Sequence, residues 1–224
     1  MFAKKFLLFV GVGAVTISLT SCSNMPGYCR ENEKITVCYD ASDNLFSGNI
    51  KKYYENGKLK MQTPYKKGKK EGVEKWYYAD GRLKAIVLYK NGEQGVTTEY
   101  KYYENGNLWN ETSYKNGKKD GEEKQFYQNG KLQKQILYEN GKAEGVEKWY
   151  HEDGRLWSKT PYSNGLLDGV KTEYYENGRL KETVVFKNGM PVSGVSYDAD
   201  GYETEMTKAH LQNINAVMKK HIGL

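Results

Sequence analysis

Glycine recurs in this chain with a period that few folds can satisfy. Glycines that follow Asn or Asp and precede a residue-Leu pair stand at Gly57, Gly81, Gly106, Gly130, Gly154 and Gly178, with Gly201 as a degenerate last copy. Their spacings are 24, 25, 24, 24, 24 and 23 residues. A second series, Gly68, Gly92, Gly117, Gly141, Gly165 and Gly189, follows each member of the first by 11 residues. A third, Gly48, Gly72, Gly95, Gly121, Gly145, Gly169 and Gly194, opens the segment that comes next. A fixed period in this range means stacked copies of one supersecondary unit, each burying its apolar face only against its neighbours.

The unit is a hairpin. Between the first and second glycine of each copy the pattern has period two, as in Leu83, Ala85, Val87, Tyr89 or Leu132, Lys134, Ile136, Tyr138, which places Leu and the closing Tyr on one face of a strand. The return segment brings aromatic pairs, Tyr53-Tyr54, Trp76-Tyr77, Tyr102-Tyr103, Phe126-Tyr127, Trp149-Tyr150 and Tyr174-Tyr175. Adjacent rings on a strand cover both faces of the sheet. Asn-Gly after them supplies two residues tolerant of positive φ for a tight turn. Valine at Gly130 is therefore expected to be worse than valine at Gly27. All length variation falls in the return segment, and Glu99 to Lys101 is where a bulge is expected.

The reading is an all-β protein: an elongated single-layer antiparallel β-hairpin repeat array over residues 47–202, about 24 residues per repeat, closed by a C-terminal capping helix within 203–224. A dozen strands would extend roughly 60 Å. Its open ends would recruit other chains, so the edge at 47–54 is a place where a second copy can pair. Leu211, Ile214, Val217, Met218 and Ile222 fall at helical spacing, with Thr204 or Thr207 as N-cap, and we assign 207–221 to a helix that covers the last repeat.

The first 22 residues read as an address. Lys4 and Lys5 precede an apolar run, Phe6 to Thr20, too short to cross a bilayer comfortably, and it ends in Leu19-Thr20-Ser21-Cys22. This resembles the lipobox of bacterial lipoproteins. The resemblance implies a signal peptide over 1–21, acylation of Cys22 on thiol and amine, and a cell-envelope protein lipid-anchored to a membrane, the outer one if the cell is Gram-negative, since Ser23 is not Asp. Residues 22–46 read as a linker. In it Cys29 and Cys38 either close a disulfide loop in an oxidising compartment or remain free thiols.

Chemistry is sparse. His151 takes the place of Tyr78 in an earlier repeat, and His210 and His221 lie in the last helix. No Ser/His/Asp order, metal-spaced His/Cys set or phosphate loop occurs, and the carboxylates repeat with the period. No enzyme, metal or cofactor is expected. Net charge is +6 with Lys and Glu interspersed, a solvated surface and not a stripe for nucleic acid. The residues that depart from the pattern are Trp109 and Trp157, which follow the turn Leu where other copies have Lys60, Lys84, Gln133 and Lys181. Strand alternation puts both on the face opposite Leu108 and Leu156, as candidate binding surface.

Tyr-Glu-Asn-Gly at 54–57 and 175–178, Tyr-Lys-Asn-Gly at 89–92 and 114–117, and Gly-Val-Glu-Lys-Trp-Tyr at 72–77 and 145–150 resemble the MORN-repeat variant, found also in bacterial proteins described as YwqK-type antitoxins. The resemblance covers residues 47–202. It implies an assembly or attachment scaffold with a protein partner, reached here from a membrane anchor at Cys22, and carries no catalytic motif. Two other readings stay open: a cell-wall or glycan-binding module, because Tyr-rich hairpin repeats also build choline-binding modules, and an exported immunity or antitoxin-type inhibitor.

Overall fold

The computed structural model describes Gly27, residues 29–31 and residues 36–222. Cys22 and the segment 1–21 lie outside the described residues. One open antiparallel sheet carries the repeats, its strands following one another in chain order from Gly48–Tyr53 at one edge to Glu203–Glu205 at the other. The six strands that begin at the turn Leu are each 8 residues long: Leu59–Lys66, Leu83–Lys90, Leu108–Lys115, Leu132–Glu139, Leu156–Ser163 and Leu180–Lys187. The return strands, such as Gly72–Tyr77, Glu93–Tyr102 and Lys118–Phe126, differ in length.

The two turns of each repeat use Asn-Gly differently. After the Leu strand, Asn91 and Gly92 both have positive φ, 54° and 89°, the tight two-residue turn whose twist matches the strands. At the other end only the glycine does. There Gly57 N–H donates to Tyr54 O and Tyr54 N–H to Lys58 O, so Glu55-Asn56 makes an ordinary turn and Gly57 the left-handed bulge that follows it. Gly130 has the positive φ expected of it, 82°, but Gly27 has it too, 83°, so φ does not separate the two glycines and crowding favours Gly27 as the worse site for valine. Gly130 has open space around its missing Cβ, whereas at Gly27, φ 83°, a Cβ would run into the backbone carbonyls of Tyr39 and Asp40.

Neighbouring repeats are tied along both long borders of the sheet. At the first, Tyr54, Tyr78, Tyr103, Tyr127 and Tyr175 each donate a hydroxyl hydrogen bond of 2.6–3.1 Å to a backbone oxygen of the next repeat. At the second, the amides of Gly68, Gly92, Gly141, Gly165 and Gly189 donate back to the oxygens of Phe46, Lys70, Lys119, Ala143 and Leu167. Alignment on these bonds corrects two aromatic pairs: they are Tyr77-Tyr78 and Tyr150-His151, with Trp76 and Trp149 one place before them. His151 therefore stands in a tyrosine position, and its buried Nε2 has no hydrogen-bond partner in the structure. His151→Tyr is expected to raise stability by about 1 kcal/mol by donating to Tyr174 O, read as a higher denaturant midpoint. An unchanged or lower midpoint would count against the ladder.

The two ends of one face are covered by segments outside the repeats. Cys29–Glu31 and Thr36–Cys38 form a small hairpin joined by the Cys29–Cys38 disulfide. Cys38 packs with Phe46 and Ile50, against Tyr65 of the first repeat, so residues 36–46 cover the sheet where a linker was expected. At the far end the helix Lys208–Ile222 starts at Thr207, whose Oγ1 accepts from His210 N–H. Leu211, Ile214 and Met206 pack onto Leu167, Val184 and Phe186. The helix thus covers the face of the last repeats, and the edge itself is the three-residue acidic strand Glu203–Glu205. A short charged edge discourages pairing with another chain.

Candidate functional site

Seven residues before the first-series glycine, on the face that the two end segments cover, successive repeats place Ile50, Glu74, Glu99, Glu123, Glu147 and Lys171. Glu74 is 2% exposed. Its carboxylate accepts from Thr63 Oγ1 at 2.6 Å, Lys70 Nζ at 2.9 Å and Trp76 Nε1 at 2.7 Å. Glu123 repeats the lysine, Lys119 Nζ at 2.8 Å, while Thr112 Oγ1, 3.3 Å from the carboxylate, gives its shorter bond of 2.7 Å to Asn110 Oδ1. Glu147 takes its lysine from the preceding strand, Lys134 Nζ at 2.7 Å, and Trp149 Nε1 at 2.8 Å. A buried carboxylate persists only when its lone pairs and charge are answered in this way.

The electrostatics follow the same pairs. Burial works against the charge on Lys70, yet the hydrogen bond and field of Glu74 hold its ammonium above the ordinary value. Burial likewise opposes the Glu123 carboxylate, and Lys119 outweighs it, keeping the carboxyl below its usual range. The Tyr162 phenol is pushed up to about 12 by burial and then by Glu147. Glu74, Glu123 and Glu147, each paired with a lysine, hold the sheet together. Among the described residues no group of three His, Cys, Asp or Glu side chains gathers as a metal site, and no helix is long and apolar enough to cross a membrane.

Trp109 and Trp157 are brought out by a device that alternation does not foresee. Between Lys101 and Tyr102 the cross-strand partner jumps from Asn110 to Leu108, leaving Trp109 as an extra residue; Trp157 is left over in the same way between Ser158 and Leu156. Every repeat has this bulge, occupied elsewhere by Lys60, Lys84, Gln133 or Lys181. The expected bulge at Glu99 to Lys101 is absent, because these three pair in register with Thr112, Glu111 and Asn110, and the irregularity falls at Gly95-Val96 instead. Both indoles are about two-fifths exposed, 41% and 40%. Trp109 leans on Tyr103 and Trp157 on Trp149 and His151, with ring centroids 6.0–6.3 Å apart, so each is held in place.

The other face is bare. Val73, Leu88, Leu137, Val146 and Val170 all stand exposed there, each next in sequence to a side chain of the covered face, Glu74, Val87, Ile136, Glu147 or Lys171. Reading the covered face for periodicity passes over these residues, and the run of alternating copies is the signal that would have found them.

A linear array of antiparallel hairpins held by nearest-neighbour rungs defines the chain as a β-repeat protein with no built catalytic centre among the described residues. Residues 46–67, 70–91, 97–116, 119–140, 143–164 and 167–188 match the MORN repeat variant, and the chain belongs to that family. Repeats of this kind are generally protein- or membrane-binding modules, typically without catalysis. No curated protein matches the chain. Among solved structures it is similar to that of TcdB2-TccC3-TEV, at 16% identity and a TM-score of 0.31, over 78% of this chain and 10% of that one. It is also similar to a protein of unknown function from Bacteroides fragilis, at 10% identity and a TM-score of 0.14, over 72% of this chain and 90% of that one. At such scores neither likeness carries an argument. The chain spans about a tenth of the length of the first.

Proposed function

We propose that the array is a non-catalytic scaffold that binds a protein partner at the cell envelope, held to a bacterial membrane by lipid on Cys22. The bare face carries this reading. Five large aliphatic side chains recur there in four repeats and stay exposed, Val73 and Leu88 side by side on paired strands. Trp109 and Trp157, fixed by neighbouring rings, offer rigid contact area at small entropic cost apart from the bare face, Trp157 against Trp149 beside Glu147. Interspersed Lys and Glu give the surface no basic stripe for nucleic acid or anionic lipid.

Crosslinking on intact cells with the native chain tests the proposal, with Cys22→Ala and Val146→Glu/Val170→Glu as controls. One specific protein is expected, lost with Cys22→Ala and recovered at least about tenfold less with the double variant. Equal recovery by the double variant would overturn the bare-face assignment. Wall fragments alone would replace the protein partner by a glycan, and a single secreted toxin would make the protein an inhibitor.

A further inference from the structure

The third repeat breaks the pattern in one place, and the break is shaped like a missing lysine. In the second and fourth repeats an ammonium fills the corner between a carboxylate and a tyrosine ring: Lys70 Nζ lies 2.9 Å from Glu74 and 4.4 Å from the centroid of Tyr89. Lys119 Nζ lies 2.8 Å from Glu123 and 4.7 Å from the centroid of Tyr138. In the fifth repeat Lys134 reaches Glu147 from the preceding strand. The third repeat has the carboxylate, Glu99, and the ring, Tyr114, but neither lysine. Gln94 pairs with Tyr89 at the position that Lys70 takes opposite Tyr65 and Lys119 opposite Tyr114; Ala85, two residues after its turn Leu, holds the place of Lys134 in the next copy but one, and pairs with Glu99 where Lys134 pairs with Trp149.

The surroundings open accordingly. Gly95 follows Gln94 where Glu71, Asp120 and Glu144 hold the turn amides of Asn91, Asn140 and Asn164. Among the described residues the amide of Gly117 makes no rung to the preceding repeat, unlike those of Gly92 and Gly141. A cavity of about 520 Å³ results, lined by Gln94, Gly95, Thr97, Glu99, Tyr114 and the Asn116-Gly117 turn. Among the described residues no cationic nitrogen lies within ion-pair distance of Glu99. The family match lapses across the same stretch, resuming only at residue 97.

We propose that this cavity binds a primary alkylammonium, the lysine side chain of a partner protein, with Glu99 as counter-ion and the Tyr114 ring as cation-π wall. The neighbouring repeats show what the corner takes, because in them the chain supplies the same group itself. Burial, then the charges of Glu99 and Glu123, hold the Tyr114 phenol above its usual value, so it stays neutral beside the cation. The inference rests on the protein-binding reading only for the source of the ammonium.

The test is an amide-resolved NMR titration of the full chain in detergent with Nα-acetyl-lysine methylamide, its Nε-acetylated neutral analogue, and 1,5-diaminopentane. Saturable shifts are expected at Thr97, Glu99 and Tyr114 with the charged probes and not with the neutral one. Glu99→Gln is expected to weaken binding about tenfold or more. Gln94→Lys and Ala85→Lys, which supply the ammonium from within on two different strands, are each expected to abolish it. Tighter binding of the lysine derivative supports a protein side chain, and tighter binding of the diamine reassigns the source to a free amine. No saturable shift, equal shifts with the neutral analogue, or unchanged binding by Glu99→Gln would overturn the site. The crosslinking experiment reads the bare face, so failure of one leaves the other standing.

Discussion

Glu74→Ala is expected to cost about 3 kcal/mol, seen as a lowered denaturant midpoint by the fluorescence of the adjacent Trp76. Three donors lose their acceptor at once: the hydroxyl of Thr63, itself 1% exposed, the Lys70 ammonium and the Trp76 indole N–H. Leaving one buried donor unmatched costs about 1–3 kcal/mol, and an uncompensated buried charge more. Lys70 keeps a path to water, its side chain being 26% exposed, which holds the figure near 3 and below the sum of three separate losses. The matching control is Glu99→Ala. Exposed and without a lysine, Glu99 is expected to change stability by less than about 0.5 kcal/mol. Equal losses at the two positions would show that burial and the paired donors of Glu74 had been wrongly credited.

Phe186→Ala is expected to cost about 3–5 kcal/mol and to release the C-terminal helix. The ring is 0% exposed and sits beneath Met206, Leu211 and Ile214, so its removal leaves a cavity under the apolar side chains that hold the helix down among the described residues. The loss is local. Contacts in the array run between neighbours, so amide exchange should quicken in residues 208–217 and in the last hairpin while Leu59–Lys66 and Leu83–Lys90 keep their protection. Uniform loss of protection along the whole array would refute nearest-neighbour coupling.

Glycine spacing made the array, its hairpin unit and its strand boundaries legible before any coordinates, because a turn that needs positive φ admits few residues and so marks itself. The constant length of the Leu strands was legible for the same reason. What escaped was set by tertiary contact. Cys38 and Phe46 have no period to betray them, and only the packing on Ile50 and Tyr65 makes a cover of that segment. Trp109 and Trp157 were visible as departures, but the bulge that aims them arises from cross-strand pairing. Trp76 and Trp149 drew the aromatic pairing out of phase in two copies, since a ring beside a Tyr-Tyr position looks like a member of the pair. The cavity at Glu99 was written in the sequence all along: strand pairing sets Gln94 opposite Tyr89 where two other copies set a lysine opposite the tyrosine, and Ala85 follows its turn Leu where Lys134 follows Leu132.

The rungs between repeats also have a direction. Along one border the hydroxyls of Tyr54, Tyr78, Tyr103, Tyr127 and Tyr175 give their protons toward the C-terminal neighbour, and along the other the amides of Gly68, Gly92, Gly141, Gly165 and Gly189 give toward the N-terminal neighbour. A unit with all its rungs therefore carries one outgoing and one incoming connection on each border, like a plug and socket moulded into the same part. A chain built this way can gain or lose whole units by duplication or excision of its coding segment, and the join that results is indistinguishable from the joins already present. Among the described residues rungs are missing at two places, His151 and Gly117, and excision of the unit that holds Glu99 would discard a carboxylate without a lysine that no other copy has.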